Sequence, residues 1–286
     1  MKLVRFGESG RESPALIDAQ GNLRDISGFV SDITASTLLP ENLTRLRALN
    51  PEELPIVPAG ARLGPPLHGI GKIVGVGLNY ADHAVEAGKP LPDEPIVFLK
   101  ALSALTGPND SIALPHWSKE TDWEVELVIV IGSPAQQIGE DEAYAHVAGY
   151  CLGLDVSERS WQLEGGGGLA PGKSFDGFAP IGPWIATADE IQPSLDDLTM
   201  KLSVNDESFQ NGNTGDMVFN VASLISHISK SITLLPGDLL FTGTPAGTGM
   251  GQKPPRYLRD GDLLTASLAG LGTQRHLFTV AQAVGS

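Results

Sequence analysis

The chain has 286 residues, of which 41% are hydrophobic and 19% are charged, a composition that is ordinary for a globular protein and excludes intrinsic disorder. Its 34 acidic and 19 basic residues give a net charge of -15, which repels phosphate backbones and anionic lipids, so we expect no nucleic-acid partner and no membrane partner. The N-terminus has no signal-peptide pattern and no apolar run is as long as a membrane span, which predicts a cytoplasmic protein.

Residues 1–68 are expected to form a small β-rich N-terminal domain and a stiff connector. Three short strand-like segments, KLVRF, PALID and NLRDI, come first, and a weak helical pattern follows at Leu43, Leu46 and Leu49. The connector contains five prolines, which block regular structure: Pro51, Pro55, Pro58, Pro65 and Pro66. The remaining residues, 69–286, are expected to form one larger domain that carries the candidate functional residues.

Strands dominate this larger domain. The pattern predicts strands at residues 72–76, 96–100, 122–131, 147–155, 179–186, 198–204, 239–243, 263–268 and 274–280. It predicts helices at residues 82–87, 140–145, 157–163 and 220–231, and a four-glycine loop at residues 165–168. Since the strands do not alternate regularly with long helices, we expect a mainly β, α+β fold and not a doubly wound parallel sheet. Cys151, the single cysteine, lies in an apolar strand and is expected to be a packed thiol.

The stretch DWEVELVIVI at residues 122–131 is an unusual strand, because alternate side chains point to opposite faces and both faces contain apolar residues. Glu124 and Glu126 share one of these faces, so both carboxylates are expected to be buried. Burying them is costly unless one is protonated, unless Arg or Lys pairs with them, or unless a cation binds between them. An exposed edge strand with solvated glutamates is the alternative interpretation.

Two further features carry possible chemistry. Asp155 lies where another apolar strand ends, and three carboxylates with no nearby Cys or His suit a hard divalent ion more than zinc. His83 and Glu86 lie three residues apart on a predicted helix, so the carboxylate can orient the imidazole as a general base. A surface pair with no function is the alternative interpretation of this spacing.

Lys173 and the loop GTPAGTG at residues 243–249 are weaker signals. The loop follows a strand and offers a hydroxyl and backbone N–H groups for an anion, but it lacks the ending of a nucleotide P-loop. A solvated lysine and an ordinary glycine turn would explain both features without function.

Six motifs occur in this order along the chain: Gly77-Leu78-Asn79-Tyr80-x-x-His83-x-x-Glu86, Phe98-Leu99-Lys100, Glu124-x-Glu126, Asp155-Val156-Ser157-x-Arg159, Gly172-Lys173-Ser174 and Gly243-Thr244-Pro245-x-Gly247. Together they resemble the fumarylacetoacetate hydrolase family over roughly residues 71–280. The resemblance implies a mixed β-roll with a small N-terminal domain, a homodimer, and an enzyme that cleaves carbon–carbon bonds in β-diketo acids. Some members of the family decarboxylate or isomerise related compounds instead.

The resemblance also implies a metal centre and a catalytic dyad. Mg2+ or Mn2+ would be held at the positions of Glu124, Glu126 and Asp155. His83, oriented by Glu86, would deprotonate a water that attacks the C4 carbonyl of a 2,4-diketo acid. The metal would stabilise the charge of the fragment that departs when the C3–C4 bond breaks.

Five more residues receive roles from the resemblance. Lys173 would stabilise the negative charge that develops on the attacked oxygen. Thr244 would bind the substrate carboxylate, with Gly243 beside it, and Gln162 and Lys100 are candidates for the pocket wall.

Within the family, the loop GMGQKPP at residues 249–255 and the run Asp155-Val156-Ser157-Glu158-Arg159 with Gln162 resemble members that hydrolyse 2,4-diketo-3-deoxy sugar acids, such as the rhamnonate or fuconate derivatives, to pyruvate and lactate. Fumarylpyruvate or another acylpyruvate would use the same residues and differ only in what fills the distal pocket. Oxaloacetate-type decarboxylation or isomerisation is a further alternative, as is a non-enzymatic β-rich binding module stabilised by Ca2+.

Overall fold

The computed structural model describes residues 1–163 and 168–281, so most of the predicted four-glycine loop lies outside the described residues. The strands are β1 Lys2–Phe6, β2 Ser13–Ile17, β3 Leu23–Asp25, β4 Ile73–Gly77, β5 Ile96–Lys100, β6 Leu105–Thr106, β7 Ile112–Leu114, β8 Thr121–Asp122, β9 Val125–Ile131, β10 Val147–Leu154, β11 Ser157–Glu158, β12 Ala179–Pro180, β13 Ile185–Thr187, β14 Thr199–Val204, β15 Glu207–Asn213, β16 Leu239–Phe241, β17 Leu263–Leu268 and β18 Gly272–Val280. The α-helices are α1 Pro40–Arg47, α2 Ala81–Glu86, α3 Arg159–Leu163, α4 Leu169–Lys173, α5 Ala188–Ile191 and α6 Val221–Ser229. Short 3-10 helices occur at Pro51–Glu53, Leu102–Ala104, Ala143–His146, Gln192–Asp197 and Thr214–Asp216.

Two sheets organise the molecule. The first has nine strands in the order β3-β2-β1-β13-β10-β9-β16-β4-β5, and the second has five in the order β15-β14-β17-β18-β7. Most neighbours are antiparallel, but β16 is parallel to β4 and β7 is parallel to β18, so both sheets are mixed. This arrangement confirms the expected mainly β, α+β fold and excludes a doubly wound parallel sheet.

Strands β9 and β10 lie near the centre of the first sheet, and every residue in both is buried. A strand that is covered on both faces needs apolar side chains at successive positions, which explains the continuous apolar runs. Cys151 in β10 is fully buried, and burial raises the pKa of its thiol to about 12, in agreement with a packed thiol.

Helix α6 begins where the sequence predicts, because the Asn220 side chain accepts a hydrogen bond from the N–H of Ser223 and caps the helix. Its apolar face is buried against the core, and the helix ends near residue 230. None of the described helices is long and apolar enough to cross a membrane.

The N-terminal segment adds its strands to the first sheet. Strand β1 pairs with β13, with Lys2 opposite Ala186 and Leu3 opposite Ile185. An ion pair between Arg62 and Asp110, with a nitrogen–oxygen distance of 2.6 Å, also joins this segment to the rest of the chain. The boundary near residue 68 stays a prediction, since shared strand pairing neither requires nor excludes separate domains.

The strand expected at residues 122–131 is interrupted. Strand β8 ends at Asp122 and pairs with β11, whereas β9 begins at Val125 and pairs with β10, so the chain changes partners across Trp123 and Glu124. At the break, the N–H of Asp155 donates to the carbonyl of Glu124 over 2.9 Å. The interruption therefore positions Glu124 and Asp155 beside each other. The strand expected at residues 179–186 is likewise split into β12 and β13.

Candidate active site and metal centre

Three carboxylates converge where β9 and β10 meet. Glu126 lies in β9 opposite Gly153, Glu124 lies in the break before β9, and Asp155 directly follows β10. Carboxylate oxygens of the three residues lie within 4.8 Å of one another, and the residues are at most 5% exposed. The structure thus brings together the three predicted metal ligands. An all-oxygen set of this kind suits a hard dication.

Cations surround these carboxylates. The ammonium of Lys173 lies 2.7 Å from Glu124 Oε2 and 2.5 Å from Asp155 Oδ2. Arg159 Nη2 lies 2.7 Å from Glu124 Oε1, and Lys100 pairs with the other oxygen of Asp155. Because all of these side chains are buried, each charge needs a partner, and this network supplies it.

Glu124 and Glu126 ionise differently despite their proximity. Burial opposes ionisation of Glu124, but Lys173 and Arg159 outweigh it and hold the pKa of Glu124 below its ordinary value. The pKa of Glu126 is raised well above its ordinary value by burial and by the charges of Asp155 and Glu124. A further cation in the cluster would favour the ionised form of Glu126.

The predicted dyad forms on α2. His83 Nδ1 lies 3.1 Å from Glu86 Oε2, so the ring donates from Nδ1 and keeps Nε2 free to accept a proton. Glu86 also accepts hydrogen bonds from the N–H of Gly247 over 2.8 Å and from the Thr248 hydroxyl over 2.9 Å. Burial opposes ionisation of Glu86, yet these donors and His83 lower its pKa. An ionised carboxylate thus orients the imidazole.

A cavity of about 470 Å3 is lined by His83 of the dyad and by Glu124 and Glu126 of the carboxylate cluster, whereas Glu86 and Asp155 are not among its lining residues. Its polar lining consists of His83, Lys89, Glu124, Glu126, Arg159, Gln162, Lys173, Gly243 and Thr244. Its apolar lining consists of Val76, Gly77, Leu78, Ala87, Ile96, Phe98, Leu163, Leu169 and Met250. Such a volume accommodates a small organic acid, and the lining provides an imidazole, cations and carboxylates around it.

Lys100 does not line this cavity, although the sequence suggests it as a pocket wall. Its ammonium contacts Asp155 and the carbonyl oxygen of Phe178, the latter over 2.9 Å. Burial lowers the pKa of Lys100, whereas Asp155 favours its charged form. Lys100 therefore supports the carboxylate cluster from behind. Gln162 does line the cavity, and Arg159 Nη1 donates to its side-chain oxygen Oε1 over 2.8 Å.

The loop at residues 243–249, together with the following Met250, does not present its backbone as the open anion site that the loop's sequence suggests. The N–H of Gly243 donates to Glu126 over 2.7 Å, and the N–H of Gly249 donates to Asp122 over 2.6 Å. Further N–H groups of the loop donate to the chain's own carboxylates on Asp82, Glu86 and Asp122. These bonds attach the loop to α2, β8 and β9, so most of its donors are already used.

The expected role of Thr244 in binding a substrate carboxylate stays a prediction, and the structure limits which of its groups could serve. Its hydroxyl donates to the carbonyl of Val125 over 2.8 Å and accepts from Gln210 Nε2 over 2.8 Å, so the hydroxyl proton is engaged within the protein. The backbone N–H of Thr244 has no acceptor within the part of the chain that the structure describes. Because Thr244 lines the cavity, that N–H is the donor it can offer to a substrate carboxylate.

Two residues in this network are missed by reasoning from the sequence. Asp122 holds Arg159 Nε over 2.8 Å and receives the loop amides, and Gln210 bridges β9 and the loop. Asp122 immediately precedes the Glu124-x-Glu126 motif, so its position offered a signal. Gln210 lies in a polar segment, ESFQNGN, that gives none.

Comparisons with known proteins agree with this geometry. A family model described as "Fumarylacetoacetate (FAA) hydrolase C-terminal" matches residues 72–279. A protein of Burkholderia multivorans, named only provisionally as a hydrolase, is 50% identical over 283 residues, which are 99% of this chain and 100% of that protein.

Solved structures give the same result. The fumarylacetoacetate hydrolase of Exiguobacterium antarcticum superimposes with a TM-score of 0.83 at 33% identity, over 98% of this chain and 100% of its own. The maleylpyruvate hydrolase of Sphingobium sp. SYK-6, in complex with manganese(II) and pyruvate, gives 0.83 at 29% identity, over 99% and 100%. A 2-hydroxyhepta-2,4-diene-1,7-dioate isomerase of Mycobacterium marinum gives 0.75 at 30% identity, over 99% and 100%. The chain therefore belongs to the fumarylacetoacetate hydrolase family.

Proposed function

We infer that the protein is a metal-dependent hydrolase that cleaves the C3–C4 bond of a 2,4-diketo acid and releases pyruvate. The observation that carries this inference is a single cavity lined both by Glu124 and Glu126, which converge with Asp155, and by His83, which Glu86 orients. A binding module stabilised by a structural ion would need the carboxylates, but it would have no use for an oriented imidazole at the same cavity.

The residues present fit a hard dication such as Mg2+ or Mn2+. Their oxygens already converge, the Lys173 ammonium contacts Asp155 there, and the raised pKa of Glu126, caused by burial and by the charges of Asp155 and Glu124, shows that the cluster lacks positive charge. When bound, the ion would supply Lewis-acid polarisation of the 2-oxo group and of a carboxylate oxygen of the substrate. Glu124, Glu126 and Asp155 would hold it.

The chain's own side chains account for the proton movements. His83 Nε2 would take a proton from a water as the water oxygen bonds to C4, while Glu86 holds the imidazolium that forms. The ammonium of Lys173, which lines the cavity, would stabilise the negative charge on the C4 oxygen. When the C3–C4 bond breaks, its electron pair passes to C3, which takes the proton held by the His83 imidazolium to give pyruvate, and the C4 fragment leaves as a carboxylic acid.

As the substrate we propose a 2,4-diketo-3-deoxy sugar acid of the rhamnonate or fuconate type, which would yield pyruvate and lactate. The subgroup motifs in the loop at residues 249–255 and around Arg159 and Gln162 support this choice. Lys89, Arg159 and Gln162 line the cavity and can hydrogen-bond to the hydroxyl groups of such a chain.

An acylpyruvate is the second candidate substrate. The apolar side chains in the lining, among them Leu78, Ile96 and Phe98, favour an acyl chain without hydroxyls. The similarity to a maleylpyruvate hydrolase that binds manganese(II) and pyruvate also supports this class. Decarboxylation and isomerisation are the remaining candidate reactions. The similarity to the isomerase of M. marinum is a reason to assay for them as well.

The deciding experiment is a panel of diketo sugar acids, acylpyruvates and oxaloacetate, assayed with Mg2+ or Mn2+ and read out as pyruvate together with the second product. We expect pyruvate with lactate from a diketo-deoxy sugar acid, and no reaction in EDTA. Faster turnover of acylpyruvates would move the assignment to the second class. Release of CO2 without hydrolysis, or turnover that persists in EDTA, would contradict the proposed function.

A further inference from the structure

A carboxamide in the second sheet reaches the strand that carries the candidate metal ligands. Gln210 in β15 is fully buried. Its Oε1 accepts from the N–H of Val125 over 2.9 Å, and its Nε2 donates to Thr244 Oγ1 and to the carbonyl of Pro245, each over 2.8 Å. The oxygen and both N–H groups of the amide therefore have partners, and all three bonds end at the candidate active site.

Val125 needs these partners because the neighbouring strand, β16, ends before it reaches Val125. Strand β16 pairs with β9 only as far as Phe241, which lies opposite Val128, and Thr242 then donates to the carbonyl of Leu127. Beyond that point no strand lies alongside β9 on this side, within the described residues. A buried peptide group without a partner is costly. Gln210 and Thr244 supply the acceptor and the donor that a strand would otherwise provide.

The hydrogen bonds from Gln210 and Thr244 hold Val125, which lies between two candidate metal ligands. Val125 separates Glu124 from Glu126, so the orientation of its peptide groups sets the direction in which both carboxylates leave the chain. The surrounding packing is tight: Gly247 has a φ of 104°, and a Cβ there would overlap the carbonyl oxygen of Phe209. Strand β15 and the loop thus form one rigid support for the start of β9.

We propose that Gln210 is a positioning residue for the metal centre. It acts through Val125 to hold the Glu124 and Glu126 carboxylates in their convergent arrangement, and through Thr244 to fix the loop across the cavity. This role rests on the proposed function, because it concerns the same metal site. Groups that hold ligands without touching the metal commonly change metal affinity about 10- to 100-fold when they are removed.

Gln210→Met is the direct test, since methionine keeps the length of the side chain and removes all three hydrogen bonds. Gln274→Met is the matched control: Gln274 is also fully buried in the second sheet, and its Nε2 donates to the carbonyls of Leu152 and Gly182 over 2.9 and 3.0 Å. Both variants lose hydrogen bonds of a buried carboxamide, so both should lower the melting temperature of the metal-stripped protein.

Titration calorimetry with Mn2+ on the metal-stripped full-length chain separates the two roles. We expect Gln210→Met to weaken Mn2+ binding about 10- to 100-fold, while Gln274→Met keeps the wild-type Kd. Gln210→Glu keeps the acceptor for Val125 but faces the Pro245 carbonyl with a carboxylate, so its Kd should lie between those of the wild type and Gln210→Met.

Each outcome decides the proposal. A wild-type Kd in Gln210→Met, or an equal loss in Gln274→Met, would overturn the positioning role and leave the proposed function standing. If Gln210→Met does not fold, Gln210→Glu becomes the test, and a wild-type Kd in that variant would overturn the positioning role. If the wild-type protein itself does not bind Mn2+, the proposed function fails and the positioning role fails with it.

Discussion

Replacing Glu124 with glutamine removes one negative charge from the centre of the carboxylate cluster and leaves the shape of the side chain nearly unchanged. In the native protein, this carboxylate contacts the Lys173 ammonium and the Arg159 guanidinium, each over 2.7 Å. In Glu124→Gln, Lys173 and Arg159 therefore each lose one anionic partner.

The expected loss of stability follows from these contacts. Removing one partner of a buried ion pair costs about 3–5 kcal/mol. Lys173 keeps Asp155 at 2.5 Å and Arg159 keeps Asp122 at 2.8 Å, so neither cation is left alone. We therefore expect the unfolding free energy of the metal-stripped protein to decrease by about 3 kcal/mol, the lower end of this range. Metal affinity should fall by more than the roughly 10- to 100-fold caused by loss of a supporting group.

Urea unfolding and Mn2+ titration calorimetry measure the two effects. Glu158→Gln is the control, because Glu158 is fully buried but accepts hydrogen bonds from hydroxyls, including those of Thr121 over 2.8 Å and Ser160 over 2.7 Å. That change should cost about 1–2 kcal/mol and leave the Kd for Mn2+ unaltered. An unaltered Kd and unaltered turnover in Glu124→Gln would refute its assignment as a metal ligand.

Three further outcomes are expected. His83→Ala should abolish hydrolysis and spare any decarboxylation, since only hydrolysis needs an activated water; equal loss of both activities would contradict the general-base role. Cys151→Ser should keep kcat/KM, because the thiol is fully buried in β10 and its pKa is raised to about 12; a large loss of activity would contradict this. Mn2+ binding should strengthen as pH rises, because the pKa of Glu126 is raised by burial and by Asp155 and Glu124, so its proton competes with the ion. Calorimetry in two buffers of different ionisation enthalpy should show the proton released on binding, and a pH-independent Kd would refute the competition.

The sequence predicts correctly those strands and helices whose burial produces a regular pattern of apolar side chains. Strands β9, β10 and β17 and helix α6 lie close to their expected positions, because burial on one or both faces leaves a regular apolar pattern. Strand β15 is not predicted, since ESFQNGN is polar and its pairing with β14 is decided by tertiary contacts. The break before Val125 is not predicted either, because the chain there changes strand partners without any glycine or proline to mark it.

The candidate site follows the same division. Glu124, Glu126 and Asp155 stand out in the sequence because carboxylates in or after apolar strands are unusual. The sequence allowed three ways to offset the buried charges: protonation, pairing with Arg or Lys, or a bound cation. The structure shows pairing at Glu124, through Lys173 and Arg159, and a raised pKa, which favours the protonated form, at Glu126. Local spacing cannot reveal such partners, because they come from distant segments of the chain.

The loop at residues 243–249 illustrates a pattern that the sequence alone cannot interpret correctly. Exposed backbone N–H groups in a glycine-rich turn are consistent with an external anion. Here the anions that most of them bind are side chains of the same protein, among them Glu86 and Glu126. The loop thus connects the dyad to the carboxylate cluster.

The most direct test of the central claim is a crystal structure of the protein soaked with Mn2+, with anomalous diffraction measured to locate the ion. We expect one anomalous peak about 2.1 Å from carboxylate oxygens of Glu124, Glu126 and Asp155. Lys173 should have moved away from at least one of these oxygens, since the ion requires the same lone pairs. A peak elsewhere in the protein, or the absence of a peak with Lys173 still bridging Glu124 and Asp155, would contradict the account.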